Sequence, residues 1–508
     1  MVYTDKPSSF WIESTPKGQF PPFLPESLPD LRVDVAIVGG GIAGITAAMR
    51  LKQAGKTVAV VEADQIGTGV TGHTTAKVTS QHHLIYASLV KDLGEEKAKL
   101  YAESNQAAIA QVFQWVQTQN IDCDFSRRTA YVFAEQPEQL TKVKDEVEAA
   151  QTVGLPASFT TDLSLPFPVL GAVAFEGQAQ FHPRKYLLHL AKMIADEGSY
   201  VFEQTRVTSV DEGTPCKIVT ERGNLYAQDV LITTNLPILD QGLYFAKAYP
   251  RRSYIVAAEI SPEQAPDGMY IGTGDSYRSL RTTPEGDRLL LLIGGEGHKV
   301  GAVTNTAERF ANLEAYGRER FGITDYAYRW SSQDVKSFDN VPYIGKLTPA
   351  NTHIFVATGF GLWGMSNGTL AGMLLSDLVQ GKDNPWADLY DSLRATPFLT
   401  STSLQENLDV GKRWVGDRLK GLTDNSINDV VTGEGKLLTI EGKKVAAYRD
   451  DEGQVHAVSA TCTHLGCIVN WNNAEKSWDC PCHGARFDCQ GKILHGPAVT
   501  PLEQIKTS

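Results

Sequence analysis

The chain has 508 residues, 42% of them hydrophobic and 21% charged, with a formal net charge of −12. That length exceeds what one ordinary core fills, so two or three domains of a soluble globular protein are expected. The acidic balance and the lack of any Lys/Arg run argue against a nucleic-acid partner, because phosphate binding needs a basic face.

The opening residues, MVYTDKPSSFWIESTP, lack the basic start and apolar stretch of a secretory signal. No segment reaches the ~18–20 consecutive apolar residues that a membrane helix needs. A cytoplasmic protein without a membrane span is therefore expected. Residues 1–30 are rich in Pro, Ser and aromatics and read as an irregular arm. Over 31–395, apolar β-type runs alternate with helical patterns, which marks an α/β domain. Within it, 33–39 reads as a buried strand, 42–55 as a helix, 57–63 as the next parallel strand and 95–120 as a long helix. The pattern loosens over 396–425, a linker with partly helical character. From 426 to 508, short strands separated by turn signals predict a small all-β module.

The strongest early motif is Gly39-Gly-Gly41-Ile42-Ala43-Gly44, between the first strand and the first helix. Gly39 permits a tight turn, Gly41 lets the backbone approach a pyrophosphate, and Gly44 lets helix and strand pack closely. The helix start offers unpaired N–H groups and a positive dipole end to phosphate. Glu62 closes the second strand 18 residues beyond Gly44, where a carboxylate holds the adenosine ribose. Strand, glycines, helix, strand and acid in register point to a dinucleotide site; the competing reading is an ordinary βαβ turn with chance glycines. The fingerprint alone does not choose between FAD and NAD.

Further segments resemble the D-amino-acid oxidase/glycine oxidase family of flavoproteins. Gly67-Thr-Gly69-Val-Thr71-Gly72-His73-Thr74-Thr-Ala-Lys77 is similar to that family's second FAD-contacting loop. Asp229-Val-Leu-Ile-Thr-Thr-Asn235 resembles its later strand, which runs to a small-residue turn near the flavin. Val341-Pro-Tyr-Ile-Gly345 and the run Gly359-Phe-Gly361-Leu-Trp-Gly364-Met365 resemble its C-terminal pattern, where a glycine-rich turn opens a helix aimed at the isoalloxazine carbonyl. The resemblance covers about 31–395 and implies a Rossmann-like FAD-binding domain with an inserted α+β substrate domain. No second glycine fingerprint appears in a βαβ context, so a separate nicotinamide domain is not expected. Thr71-Gly72-His73 also resembles the loop where dimethylglycine and sarcosine dehydrogenases carry a histidine bonded to FAD. A histidine that only packs or hydrogen-bonds there is the alternative.

In the resembled family, a carbon bearing a neutral amine gives a hydride to the flavin, and the protein orients and tunes the cofactor. Carboxylate substrates are clamped by arginine, whose fork matches two oxygens. Arg251, Tyr254 and Arg329 are the candidates for that face, with Arg252 and His298 nearby in sequence or motif. A structural or surface role is the competing reading for each.

Of seven cysteines, Cys123 and Cys216 stand alone, and the other five crowd near the C-terminal end. Such clustering suggests metal or redox chemistry before a disulfide framework. Cys462-Thr-His464 and Cys480-Pro-Cys482-His483 each supply one Cys and one His. Zinc accepts Cys₂His₂, but its fingers usually pair Cys with Cys and His with His. One Cys and one His from each half suits a binuclear cluster, with two thiolates on one iron and two imidazoles on the other. Residues 426–505 resemble the Rieske [2Fe-2S] domain of cytochrome bc-type complexes. The resemblance implies a disulfide between Cys467 and Cys482 joining the cluster loops, a covering loop at Gly496-Pro497-Ala498, and outward-facing His464 and His483. One departure is clear: the positions of a serine and a tyrosine that bond to sulfur in high-potential members are Ala485 and Phe487. Fewer hydrogen bonds to sulfur stabilise the reduced cluster less, so a midpoint of order −150 to +150 mV is expected.

Together the two resemblances imply an oxidoreductase that oxidises a C–N bond of an amine or amino acid on FAD and exports electrons singly through the cluster to an external one-electron carrier. Three competing readings are a simple oxidase, a Rieske oxygenase with iron at His82-His83, and a non-enzymatic electron-transfer or redox-sensing protein. Flow in reverse, from an external donor through the cluster to a flavin-dependent reduction, is a further alternative.

Overall fold

The computed structural model describes residues 7–274, 277–303, 305–395, 403–408, 410–411 and 426–506. Most of the expected linker, 396–425, lies outside the described residues.

The strand Arg32–Val38 is apolar on both faces, the pattern of a parallel strand covered on two sides. Val35 and Ile37 enter one hydrophobic core, while Ala36 and Val38 enter a second. Parallel neighbours build outward in the order Ile354–Thr358, Gly223–Ile232, Arg32–Val38, Val58–Val61, Tyr200–Phe202. The helix Ile42–Gln53 covers this sheet and packs against a second helix, Gly364–Val379. This is the Rossmann-like layer expected from the glycine motif.

A second, mixed sheet supplies the opposite wall. The neighbouring antiparallel strands Tyr328–Ser337, Ala248–Glu259 and Arg288–Lys299 lie toward one edge, and Lys77–Val78 closes the other. The arm is not wholly irregular. Phe10–Glu13 is helical, Trp11 is fully buried, and its indole N–H donates to the Thr74 carbonyl at 2.7 Å. The Ser9 hydroxyl donates to the Gly72 carbonyl at 2.5 Å, so the arm pins the 71–74 loop.

The C-terminal residues form two antiparallel sheets, Gly435–Ile440 with Lys443–Arg449 and Val455–Ser459, and Asn470–Asn472 through Ile493–His495. Trp478 and Phe487 fill the core beside Cys462, Cys467, Cys480 and Cys482. No helix among the described residues is long and apolar enough to cross a membrane.

Candidate flavin cavity and iron–sulfur centre

A cavity of about 660 Å³ opens between the two large sheets and the C-terminal module. At its nucleotide end the chain turns at Gly39, where φ is +111° and a Cβ would sit 2.8 Å from the Thr233 carbonyl. At Gly44 a Cβ would lie 2.1 Å from the Gly39 carbonyl, so only glycine lets helix and strand approach this closely. Gly41, Ile42 and Ala43 line the cavity, and Gly41 provides no side-chain cap for the helix. Ile42 N–H donates to Thr71 Oγ1 at 3.1 Å. The helix Gly364–Val379 also has no side-chain N-cap and no acid in its first turn, and it begins on the same cavity at Gly364 and Met365. Two helix starts whose N-cap residues supply no side-chain cap border one cavity, which suits an anionic, hydrogen-bond-accepting cofactor such as FAD.

Glu62 faces this end. Its carboxylate accepts from Gly40 N–H at 2.7 Å and from Asp64 N–H at 2.8 Å, while burial pushes its pKa up. His73 and Thr74 line the cavity from the 71–74 loop, with His73 Nδ1 2.9 Å from the Gly69 carbonyl; Gly72 is buried beneath them. The turn after Gly359 passes through Gly361 and Leu362, the latter at φ +76°. Asp334 secures it by accepting from Leu362 N–H at 2.7 Å and from Val335 N–H at 2.8 Å. Burial nevertheless pushes the Asp334 carboxyl up to about 6.

The residues considered for a substrate come from separated strands. Arg251 and Tyr254 reach the cavity lining; Arg329 does not, and lies instead with its guanidinium 5.9 Å from the Phe310 ring. Arg251 donates to the Gly297 carbonyl at 3.2 Å, and the Tyr254 hydroxyl is 3.0 Å from His298 Nε2. Lys77, which ends the segment resembling an FAD-contacting loop, and Lys336, which the sequence did not single out, also line the cavity, both lowered in pKa by burial. His82 and His83 also line the cavity, but their ring nitrogens go to different partners. His82 meets Tyr101, Thr79 and Ser366 at 2.6, 2.9 and 2.8 Å, and His83 meets the Gly272 carbonyl at 3.1 Å.

In the C-terminal module a disulfide joins Cys467 and Cys482. The sulfurs of Cys467, Cys480 and Cys482 lie within 4.8 Å of one another, but two of them are spent on this bond. The buried free thiols here are Cys462 and Cys480. Hydrogen bonding from Cys480 pulls Cys462 down to about 7 and, with burial, pushes Cys480 up. The His464 and His483 rings stand 5.0 Å apart. His464 Nδ1 is buried without a hydrogen-bond partner, and burial holds His483 neutral, down to about 3. Two thiols, one orphaned ring nitrogen and one neutral imidazole fit a [2Fe-2S] cluster of the Rieske type.

The outward-facing arrangement of these histidines is overturned. The His464 side chain is 5% exposed, and Nε2 lies 2.9 Å from Asp240 Oδ1 of the first module. Phe245 packs edge-on to both rings, at 5.9 Å from His464 and 5.2 Å from His483. The flavin-side module, rather than solvent, covers this edge.

Beside it, Arg252 is buried against Glu475 and lies 3.3 Å from Asp479; Arg486 pairs with both acids at 3.0 Å. Burial pushes Glu475 up, but Arg486 and Arg252 outweigh it and leave its pKa depressed. Gln333 donates to the Gly484 carbonyl at 2.6 Å, tying a cluster loop to the second sheet. Leu494, His495, Gly496 and Val499 of the C-terminal module line the same cavity as the glycine motif. The Asn235 amide donates to His495 Nε2 at 3.1 Å, and burial holds that histidine neutral, down to about 3.

The family model described as FAD dependent oxidoreductase matches residues 34–378, and the Rieske [2Fe-2S] domain model matches 423–506. A protein of Bacillus subtilis (strain 168) named as a Rieske 2Fe-2S iron-sulfur protein, YhfW, is 37% identical over 99% of this chain and 98% of its own length. Among solved structures, glycine oxidase from Geobacillus kaustophilus aligns with a TM-score of 0.59 and 20% identity, over 72% of this chain and 99% of that one. L-proline dehydrogenase from P. horikoshii aligns with the same score and identity, over 72% and 97%. At these identities the two structures speak for the fold.

Proposed function

The chain belongs to the FAD dependent oxidoreductase family and carries a Rieske [2Fe-2S] domain, and from that premise we propose that it oxidises a C–N bond of an amine or amino acid and exports the electrons singly. One observation carries the proposal: residues of both modules wall a single cavity, which the glycine motif lines together with His495 and with Gly496, the first residue of the loop expected to cover the cluster. Bound FAD would supply hydride acceptance from the carbon bearing the amine, and a bound cluster would supply one-electron acceptance. For each turnover the substrate loses two electrons and two protons, giving an imine, and an external one-electron carrier takes up the electrons in two steps.

The chain's own residues position these groups. Gly39, Gly41, Gly44, Glu62 and Thr71 shape the nucleotide end. Gly361, Gly364 and Met365 present the second helix start, and His73 flanks the cavity between them. Cys462, His464, Cys480 and His483 hold the cluster. Arg251 is the candidate clamp for a substrate carboxylate, and Tyr254 lines the same cavity. Cytoplasmic placement belongs to the same reading, since the clustered cysteines serve a redox centre instead of a disulfide framework.

The test is anaerobic. Purified holoprotein is mixed with amines, N-methyl amino acids, and D- and L-amino acids, while flavin absorbance and the Rieske EPR signal are followed together. Bleaching accompanied by a rising EPR signal with one compound supports the proposal and names the substrate class. If no compound reduces either centre while dithionite reduces both, the amine-oxidising reading fails.

A further inference from the structure

The segment Asn235–Phe245 touches both centres. Asn235 meets His495 on the cavity wall, and Ile238 lines the same cavity. Asp240 and Phe245 meet the histidines of the iron–sulfur centre. Asp240 has its side chain 47% exposed and its Oδ1 2.9 Å from His464 Nε2. His464 Nδ1 is buried and without a partner. Nδ1 is therefore the ring nitrogen left for iron, and Nε2–H donates to the carboxylate. The two nitrogens share one aromatic ring, so an anion accepting from Nε2–H makes Nδ1 the stronger electron donor.

We propose that Asp240 is a positioning residue for the iron–sulfur centre: its carboxylate fixes the His464 ring against the flavin module and lowers the centre's reduction potential. A negative charge at this edge opposes the arrival of an electron. It adds to the effect of Ala485 and Phe487, which leave sulfur without the two hydroxyl donors of high-potential relatives. The same contact commits the His464 edge inside the molecule, so an external carrier meets the centre elsewhere. This proposal rests on the cluster and not on the amine-oxidising reading, and its test uses no substrate.

Asparagine keeps an oxygen that accepts from Nε2–H and removes the charge. The holoprotein and its Asp240→Asn and Asp240→Glu variants are titrated potentiometrically, with the reduced cluster read by EPR. At the potential where the wild type is half reduced, Asp240→Asn is expected to show a tenfold higher ratio of reduced to oxidised cluster, equal to about 59 mV for one electron. Asp240→Glu, which retains the charge, is expected to stay within twofold of the wild type. Should the asparagine variant fail to take up cluster, Asp240→Ser is titrated in its place with the same tenfold expectation. A wild-type ratio in the charge-removing variant overturns the proposal. An equal rise in the glutamate variant also overturns it, because packing rather than charge would then set the potential.

Discussion

The C-terminal module meets the flavin module at two patches of opposite construction. At the first, two cations and two anions, Arg252, Arg486, Glu475 and Asp479, are buried together. At the second, one half-exposed carboxylate, Asp240, meets one imidazole edge. Removing a charge from water costs several kcal/mol, recovered only when every partner is in place, so the first patch is strict about geometry. Its charges balance, and it adds little net field at the cluster. The second patch is the reverse: a pair with one half-exposed partner holds less, yet on the proposal above its single charge acts directly on the electron. One patch fixes where the module sits, and the other is proposed to set how readily its centre is reduced.

The largest expected effect falls on the first patch. Arg252→Met leaves Glu475 and Asp479 one cation short inside the interface and should destabilise the protein by about 3–5 kcal/mol. Asp240→Asn, measured in the same urea titration, should cost less than about 1 kcal/mol. Similar losses for the two variants would contradict the difference between the two patches. Between them in size lies Asp334 on the cavity wall. Its folded pKa, about 6, is above the unfolded value, so the associated stability is full below about pH 4 and is lost as pH rises through 6. For the FAD-free protein this amounts to on the order of 2–3 kcal/mol, and Asp334→Asn should remove that part of the slope of stability against pH. Glu475 has the opposite sign: its pKa is depressed, so the stability it contributes is present above about pH 4.3 and lost below. The interface is therefore expected to hold between pH 5 and 7, while the cavity wall changes protonation.

Both cofactor sites were legible because each demands residue types that little else explains. A pyrophosphate cradle needs backbone without side chains, and glycine at 39 and 44 is the visible trace of that need. A cluster needs thiolates and imidazoles, and Cys462, His464, Cys480 and His483 carry the trace on their side chains. The parallel strand at Arg32–Val38 and the helix Glu95–Thr118 were legible from apolar patterning. The contacts between modules were not. Arg252 and Glu475 lie 223 residues apart, and neither belongs to a motif. Asp240 sits in a short turn whose residues resemble any surface loop, so nothing showed that it covers a cluster ligand. This grouping of cavity residues was illegible for the same reason: Lys77, Arg251 and Lys336 come from three strands far apart in the chain. Arg329 shares a strand with Lys336 but does not reach the cavity, a distinction that composition does not carry.

On the proposed function, electrons pass within one molecule from the flavin to the cluster. The most direct test reduces the flavin photochemically under anaerobic conditions with the cluster oxidised, then follows the EPR signal of the reduced cluster over a tenfold range of protein concentration. The expected result is transfer at a rate independent of concentration, matched by reoxidation of the flavin. A rate proportional to protein concentration, or a flavin that stays reduced beside an oxidised cluster, would contradict it.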